Sequence, residues 1–168
     1  VMVDAQGEYL GDPLEVAALR ALGGAGSWEV LRRYPFSPVL RRMSVLCLAG
    51  PPEEPDRRSL LLTKGSAEDL LPLLLDPSQD YLNVAAKLSE QGYRVLALAW
   101  KEVSSDSIAD EGPVLPRDEA EVDLRFAGFA CFGNPLRPEA KEVVSGLAKC
   151  GVRNVMVTGD ALSTACYV

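Results

Sequence analysis

Thr158-Gly159-Asp160, at the end of the apolar run from Val152 to Val157, sets a hydroxyl, a bare stretch of backbone and a carboxylate side by side. At the carboxyl end of a strand that trio suits a phosphoryl group and its Mg2+, or else caps a loop entering a further helix near Ala161. Lys64-Gly65 offers an ammonium for an anionic or aromatic ligand beside a glycine that permits close backbone approach, or is a plain turn. Arg94 follows Gly92-Tyr93 and reads either as a bidentate phosphate grip or as a solvated strand-end arginine. Phe36 is a core or turn aromatic, or a platform for a purine ring. Glu15, in Gly11-Asp12-Pro13-Leu14-Glu15, belongs to a helix start whose carboxylate could also accept from an adenine amino group.

Several chemistries are excluded by what the chain lacks. With no histidine, Ser-His-Asp and Cys-His catalysis cannot be assembled. No Asp-x-Asp pair occurs, so a free-standing phosphatase of the haloacid-dehalogenase type has no nucleophile and acid. The Gly-x-x-x-x-Gly-Lys order of a Walker loop is absent around Lys64. Cys47, Cys131, Cys150 and Cys166 have no close-pair spacing and read as reduced, mostly buried thiols in a cytosolic setting.

The elements that must position these residues follow from periodicity. Asp12 caps a helix, Pro13 suits its first turn, Leu14, Ala17, Ala18, Ala21 and Leu22 form its apolar stripe, and Gly23-Gly24 ends it. Trp28 to Tyr34, Met43 to Leu48 and Ser59 to Thr63 read as antiparallel strands around a turn with Pro35 and Pro38 and a Pro/Glu loop from Gly50 to Pro55. Ser66 with Asp69 opens a leucine-rich helix, Tyr81 to Leu88 marks another, Tyr93 to Trp100 a strand, and Ser104 to Asp118 a surface loop. From Leu124 the pattern becomes strand (Leu124 to Phe132), helix (Pro138 to Cys150) and strand (Val152 to Val157), which predicts a βαβ unit. The predicted fold class is α+β, with an antiparallel sheet flanked by helices over 1–128 and a partial Rossmann-like α/β segment over 129–168.

The chain has 168 residues, enough for one substantial core or one domain with part of a second. At 48% hydrophobic and 24% charged it has ordinary globular composition. A formal charge of −7, with basic pairs scattered among acids, predicts no nucleic-acid partner. Apolar runs such as Leu70 to Leu75 are far shorter than the roughly 20 residues of a bilayer span, so the chain itself reads as soluble and monomeric.

Taken in order, six blocks resemble the nucleotide-binding domain and early phosphorylation domain of P-type ATPases. They are Gly11 to Glu15, Phe36-Ser37 running to Arg42-Met43-Ser44-Val45, Lys64-Gly65-Ser66-Ala67-Glu68, Gly92 to Ala99, Asn134-Pro135-Leu136-Arg137, and Met156 to Asp160 with Thr164-Ala165. The resemblance is to the P5 group, most to P5A and next to P5B. It implies that ATP binds here and phosphorylates an aspartate in an Asp-Lys-Thr-Gly motif, which these residues do not contain; no catalytic residue is therefore expected in the chain, and the chain alone is expected to be inactive. It implies that Phe36 stacks on adenine, Glu15 contacts its edge, Lys64 and Gly65 belong to the adenine pocket and Arg94 reaches the β-phosphate. Thr158, Gly159 and Asp160 would meet the γ-phosphate, Asp160 having at most an indirect Mg2+ contact, with Arg137 near the hinge. The partners implied are the phosphorylation, actuator and transmembrane domains of a parent on the cytosolic face of the endoplasmic reticulum, or of an endolysosomal membrane for a P5B member. Three departures stand out: Ser66-Ala67 where many relatives have Ala-Pro, Asn134 where many have Asp, and Pro38 where several ion pumps carry a phosphate-touching arginine. The alternative reading is a soluble nucleotide-binding regulatory module without pump activity.

Overall fold

A computed structural model describes residues 2–3 (backbone only), 8–24, 28–51, 57–104, 115–133 and 135–158. A short antiparallel pair, β1 (Met2–Val3) and β2 (Tyr9–Leu10), precedes α1 (Pro13–Leu22). The Asp12 carboxylate accepts from Leu14 N at 2.9 Å, Pro13 fills the first turn, and Gly23 closes the helix in the left-handed conformation at φ 75°.

Five antiparallel strands then form one sheet in sequence order: β3 (Trp28–Ser37), β4 (Arg42–Ala49), β5 (Arg58–Gly65), β6 (Arg94–Glu102) and β7 (Arg125–Phe132). One face packs on α2 (Ala67–Leu70), the following 3-10 turn Leu71–Leu73, α3 (Tyr81–Glu90) and α4 (Arg117–Ala120). Its core includes Leu46, Leu61, Leu70, Tyr81, Ala97, Ala99 and Leu124. Leu61, Leu70 and Leu124 are wholly buried, each contributing about 1.5–3 kcal/mol. The Tyr81 hydroxyl is buried without a hydrogen-bond partner among the described residues, and burial followed by the charge of Glu68 pushes its pKa up to about 12.

Strand β7 corrects a sequence expectation. Leu124 to Phe132 was expected to open a parallel βαβ unit, but Arg125–Phe132 pairs antiparallel with β6 from Arg94↔Phe132 to Trp100↔Arg125. The predicted boundary after Gly128 therefore falls inside a strand of the antiparallel sheet. Apolar content alone does not say which neighbour a strand takes. Here the aromatic side chains decide: a bulge opposite Leu98/Ala99, with Gly128 at φ 150°, puts Phe126 and Phe129 on one face. Both pack on Tyr81, with ring centroids 5.0 and 5.1 Å away.

The expected helix from Pro138 to Cys150 forms as α5 (Ala140–Lys149), which has no buried residue. Val152 to Val157, expected as a strand, is exposed and has no regular structure. A strand exists only through its ladder partners, and among the described residues none lies beside this run. No Rossmann-like sheet is therefore formed by the described residues. The leucine-rich helix after Ser66 is also shorter than expected, giving way at Pro72 to the 3-10 turn. Arg117–Ala120 is helical where a loop through Asp118 was expected.

Candidate functional site

Among the described residues no helix pair like α2 and α3 covers the second face of the sheet, yet it is apolar. Strand alternation puts Met43, Val45 and Cys47 of β4, Leu62 and Lys64 of β5, and Leu98 and Trp100 of β6 on this face. They line up in cross-strand rows: Met43 with Lys64 and Leu98, and Arg33 with Val45, Leu62 and Trp100. Above them lies a cavity of about 570 Å3, walled at its sides by Trp28, Val30 and Glu15. That volume suits a small organic ligand, and an apolar floor with a few charges at the rim is the usual make-up of such sites.

Two of the residues singled out from the sequence meet at this cavity. Lys64 Nζ lies 2.6 Å from Glu15 Oε1, joining the end of β5 to α1, and each side chain is 32% exposed. The pair is open enough to exchange partners with a ligand, since half-exposed ion pairs contribute little to stability. Gly65 has a different surrounding. A Cβ there would stand 2.4 Å from Leu70 Cδ1, 2.7 Å from Arg42 Cβ and 2.9 Å from the Arg41 carbonyl oxygen. The close approach that glycine permits is taken up by the protein's own turn and helix.

Phe36 stands one residue before Ser37, whose row across the sheet holds Arg42, Gly65 and Ala97, so it sits in the bulge level with the Met43, Lys64 and Leu98 row, at the same end of the sheet. It is 59% exposed, in a bulge where the ladder runs from Tyr34↔Ser44 directly to Ser37↔Arg42. Bulges re-aim side chains, and this one turns an aromatic ring out of the core. Arg94 begins β6, three residues past Ala97, where β6 extends beyond the end of β5. Arg137 is exposed in the turn before α5, where its carbonyl accepts from Ala140 N at 3.0 Å, and Thr158 is exposed at the end of the described chain. Gly159 and Asp160 lie outside the described residues. The structure thus brings Glu15 and Lys64 together, sets Phe36 and Arg94 at the same end of the sheet, and keeps Arg137 and Thr158 on the segment after it.

Sequence reasoning missed the floor of the cavity. Met43, Val45, Leu62, Leu98 and Trp100 each sit at every second position of a strand, but the same strands carry core residues in between, as in Leu60-Leu61-Leu62. A run apolar on both faces hides which one is open. It also missed a buried polar cluster on the core face. Glu121 accepts from Arg42 Nε at 2.6 Å, Ser44 Oγ at 2.5 Å and Arg117 Nε at 2.9 Å, and Ser44 shares a 2.9 Å hydrogen bond with Thr63. Burial alone would raise the Glu121 pKa; the hydrogen bonds from Arg117, Ser44 and Arg42 outweigh it and hold the carboxyl below the ordinary range. The Arg117/Glu121 spacing, one helical turn, was the available signal.

A second hollow of about 500 Å3 lies around Lys101, Glu119, Asp123 and Arg125, and none of the predicted site residues borders it. Lys101 donates there to the carbonyls of Glu119 and Val122, a structural use of its charge. Among the described residues no group of three or more Cys, Asp or Glu is gathered to hold a metal, and no helix is long and apolar enough to cross a membrane.

Comparison with known proteins agrees with this architecture. The family model described as "P-type ATPase, cytoplasmic domain N" matches residues 3–139. Over 99% of the chain it is 34% identical to the "Probable manganese-transporting ATPase PDR2" of Arabidopsis thaliana, covering 15% of that protein. Over 96% it is 32% identical to the "Endoplasmic reticulum transmembrane helix translocase" of Saccharomyces cerevisiae, covering 14% of it. Over 83% it is 36% identical to the human "Polyamine-transporting ATPase 13A2", covering 12%. The chain thus spans roughly one seventh of the length of these relatives. An antiparallel five-stranded sheet with a lysine and a glutamate meeting over its open face, together with these matches, places the chain in the P-type ATPase family as a cytoplasmic domain N with P5-type relatives.

Proposed function

We propose that this chain is the ATP-binding part of a P5-type transport ATPase, presenting ATP to an aspartate outside these residues so that phosphorylation drives transport. The observation that carries the reading is the Lys64–Glu15 pair at the rim of the apolar cavity. An adenine ring needs a flat apolar floor, which Met43, Leu62 and Leu98 provide, and polar groups at its edge, which Lys64 and Glu15 supply. Phe36 stacks on the base and Arg94 takes the β-phosphate. Gly65 holds the pocket's end in shape rather than touching the nucleotide.

Arg137, Thr158, Gly159 and Asp160 belong, in this reading, to the start of the phosphorylation domain and meet the γ-phosphate when the two domains close. We assign the unit dominated by the antiparallel sheet to the nucleotide-binding domain, predicted over 1–128 and continuing here through β7, and the following segment to the partial Rossmann-like domain. Mg2+ would arrive on the phosphates, with Asp160 at most an indirect partner. Phosphoryl transfer depends on positioning and charge neutralisation, so a domain that only binds and orients ATP has a complete role. By itself the chain turns over no ATP.

Within the P5 group we favour the P5A branch, an endoplasmic-reticulum protein that dislocates transmembrane helices, because alignment to the yeast translocase covers 96% of the chain against 83% for the human polyamine transporter. The endolysosomal polyamine reading is second, supported by the higher 36% identity over that shorter span. The test of nucleotide binding is tryptophan fluorescence of the chain titrated with ATP, with and without Mg2+. Trp28 and Trp100 are the only two tryptophans and both border the cavity. A saturable change is expected, weakened about tenfold or more in Lys64→Ala and Phe36→Ala, the size of one lost ligand contact. Equal titrations in all three proteins would remove the basis for this site.

A further inference from the structure

Glu121 is 0% exposed, and a carboxylate withdrawn so far from water costs several kcal/mol unless every lone pair is used. Three donors surround it, from Arg42, Ser44 and Arg117, and none of these groups faces the cavity. Apolar residues could fill the same space at no loss of stability, so the cluster calls for an account in geometry.

That account lies in the other nitrogens of Arg117. Nη1 donates to the Pro35 carbonyl at 3.0 Å and Nη2 to the Arg42 carbonyl at 2.9 Å. Pro35 and Phe36 are the residues of β3 that the bulge leaves without a partner on β4. Proline has no N–H to give to a ladder, and its carbonyl there finds its donor in Arg117. The planar guanidinium thus spans the bulge, one edge on Glu121 and the other on main chain at both sides of the hairpin. From the opposite side, Ser66 N donates to the Arg41 carbonyl at 3.1 Å and Arg41 Nε lies 2.7 Å from Asp69, fastening the same hairpin to the residues that follow Lys64-Gly65.

We propose that Arg117 and Glu121 are positioning residues of the nucleotide site: Arg117, aimed by the buried Glu121 carboxylate, fixes the β3 bulge and thereby the direction in which Phe36 leaves the sheet. This rests on the reading of Phe36 as the adenine platform. The hydrogen bonds that keep Glu121 ionised despite its burial serve the same end, since a protonated carboxyl would no longer anchor both guanidinium groups.

The variant Arg117→Lys keeps the charge opposite Glu121 and loses the fork. Two readouts separate the claims. In 19F NMR of fluorophenylalanine-labelled chain, with Phe36→Leu for assignment, the Phe36 resonance is expected to shift or split in Arg117→Lys without nucleotide, while a cooperative thermal melt shows the variant folded. In ATP titration, Arg117→Lys is expected to weaken binding about fivefold, and Phe36→Ala with Arg117→Lys to lose no more than Phe36→Ala alone, as two residues acting through one contact are non-additive. Glu121→Gln, which retains the shape, is expected to give the same pattern in weaker form. An unchanged Phe36 resonance in folded Arg117→Lys, or additive losses in the double variant, overturns the positioning role. Failure of the wild-type chain to bind ATP overturns the nucleotide reading instead, and the resonance then still reports whether Arg117 sets the ring.

Discussion

Glu121 and Lys64 show how differently two charged side chains can be used. Lys64 and Glu15 form a half-exposed pair at the cavity rim, whereas Glu121 is enclosed by Arg42, Arg117 and Ser44. Because the folded-state pKa of Glu121 is depressed, its contribution to stability is fully present above the ordinary carboxyl value of 4.5 and is lost as pH falls through the lower folded value. Asp69 shifts the same way: burial would raise its pKa, and the bonds from Ser66 and Arg41 outweigh that and lower it. Glu121→Gln is therefore expected to cost about 3 kcal/mol at pH 7, leaving two arginines without their counter-ion, and the gap to the wild type should narrow below about pH 4.5. Urea midpoints at pH 7, 5, 4 and 3 measure this, and a gap independent of pH contradicts it. At this scale Lys64 at a strand end and Glu15 in a capped helix were picked out from type and neighbours as candidates only, each with a structural alternative that the resemblance to P-type ATPases, and not the local sequence, set aside. Glu121, Arg42 and Ser44 were not, because their partners lie about 75 to 80 positions apart in the chain and periodicity carries no such information.

Elements carried the clearest sequence signals when they were local. The α1 helix reads directly from Asp12, Pro13 and Gly23, and β3 to β6 from apolar runs between turn residues. Pairing was harder: β7 was assigned to a parallel unit because its apolar run fits either neighbour, and the bulge that turns Phe126 and Phe129 towards Tyr81 left no mark before the partners were known. Gly65 is the element-scale counterpart of the site. It lets β5, the Arg41 turn and Leu70 of α2 meet at distances no Cβ would allow. Gly65→Ala should therefore destabilise the fold by about 2–3 kcal/mol, as overpacking does, because one of the opposing atoms is a backbone carbonyl that cannot swing away. Equilibrium urea unfolding gives the number, and a change below about 0.5 kcal/mol, the range of ordinary surface substitutions, contradicts the packing account.

On the scale of the whole molecule, the described chain is a sheet-centred unit followed by a helix that buries nothing of its own. Val143, Val144 and Leu147 of α5 are each about half exposed, and Val155 to Val157 more so. A chain ending at residue 133 is accordingly expected to show the same unfolding free energy in urea as the 168-residue chain, within about 0.5 kcal/mol, since it loses none of the described core residues. A cooperative loss of several kcal/mol would instead tie the tail to the core. The nucleotide reading is also a whole-molecule claim, because it assigns the open face of the sheet to adenine and leaves the core face to α2 and α3. Intermolecular NOEs from adenine H2 and H8 in the ATP-saturated chain test it most directly. The account predicts NOEs to the methyl groups of Met43, Leu62 and Leu98 and to the Phe36 ring. Saturable binding with adenine NOEs only to side chains around Lys101 and Asp123, or no binding at millimolar ATP, would contradict it.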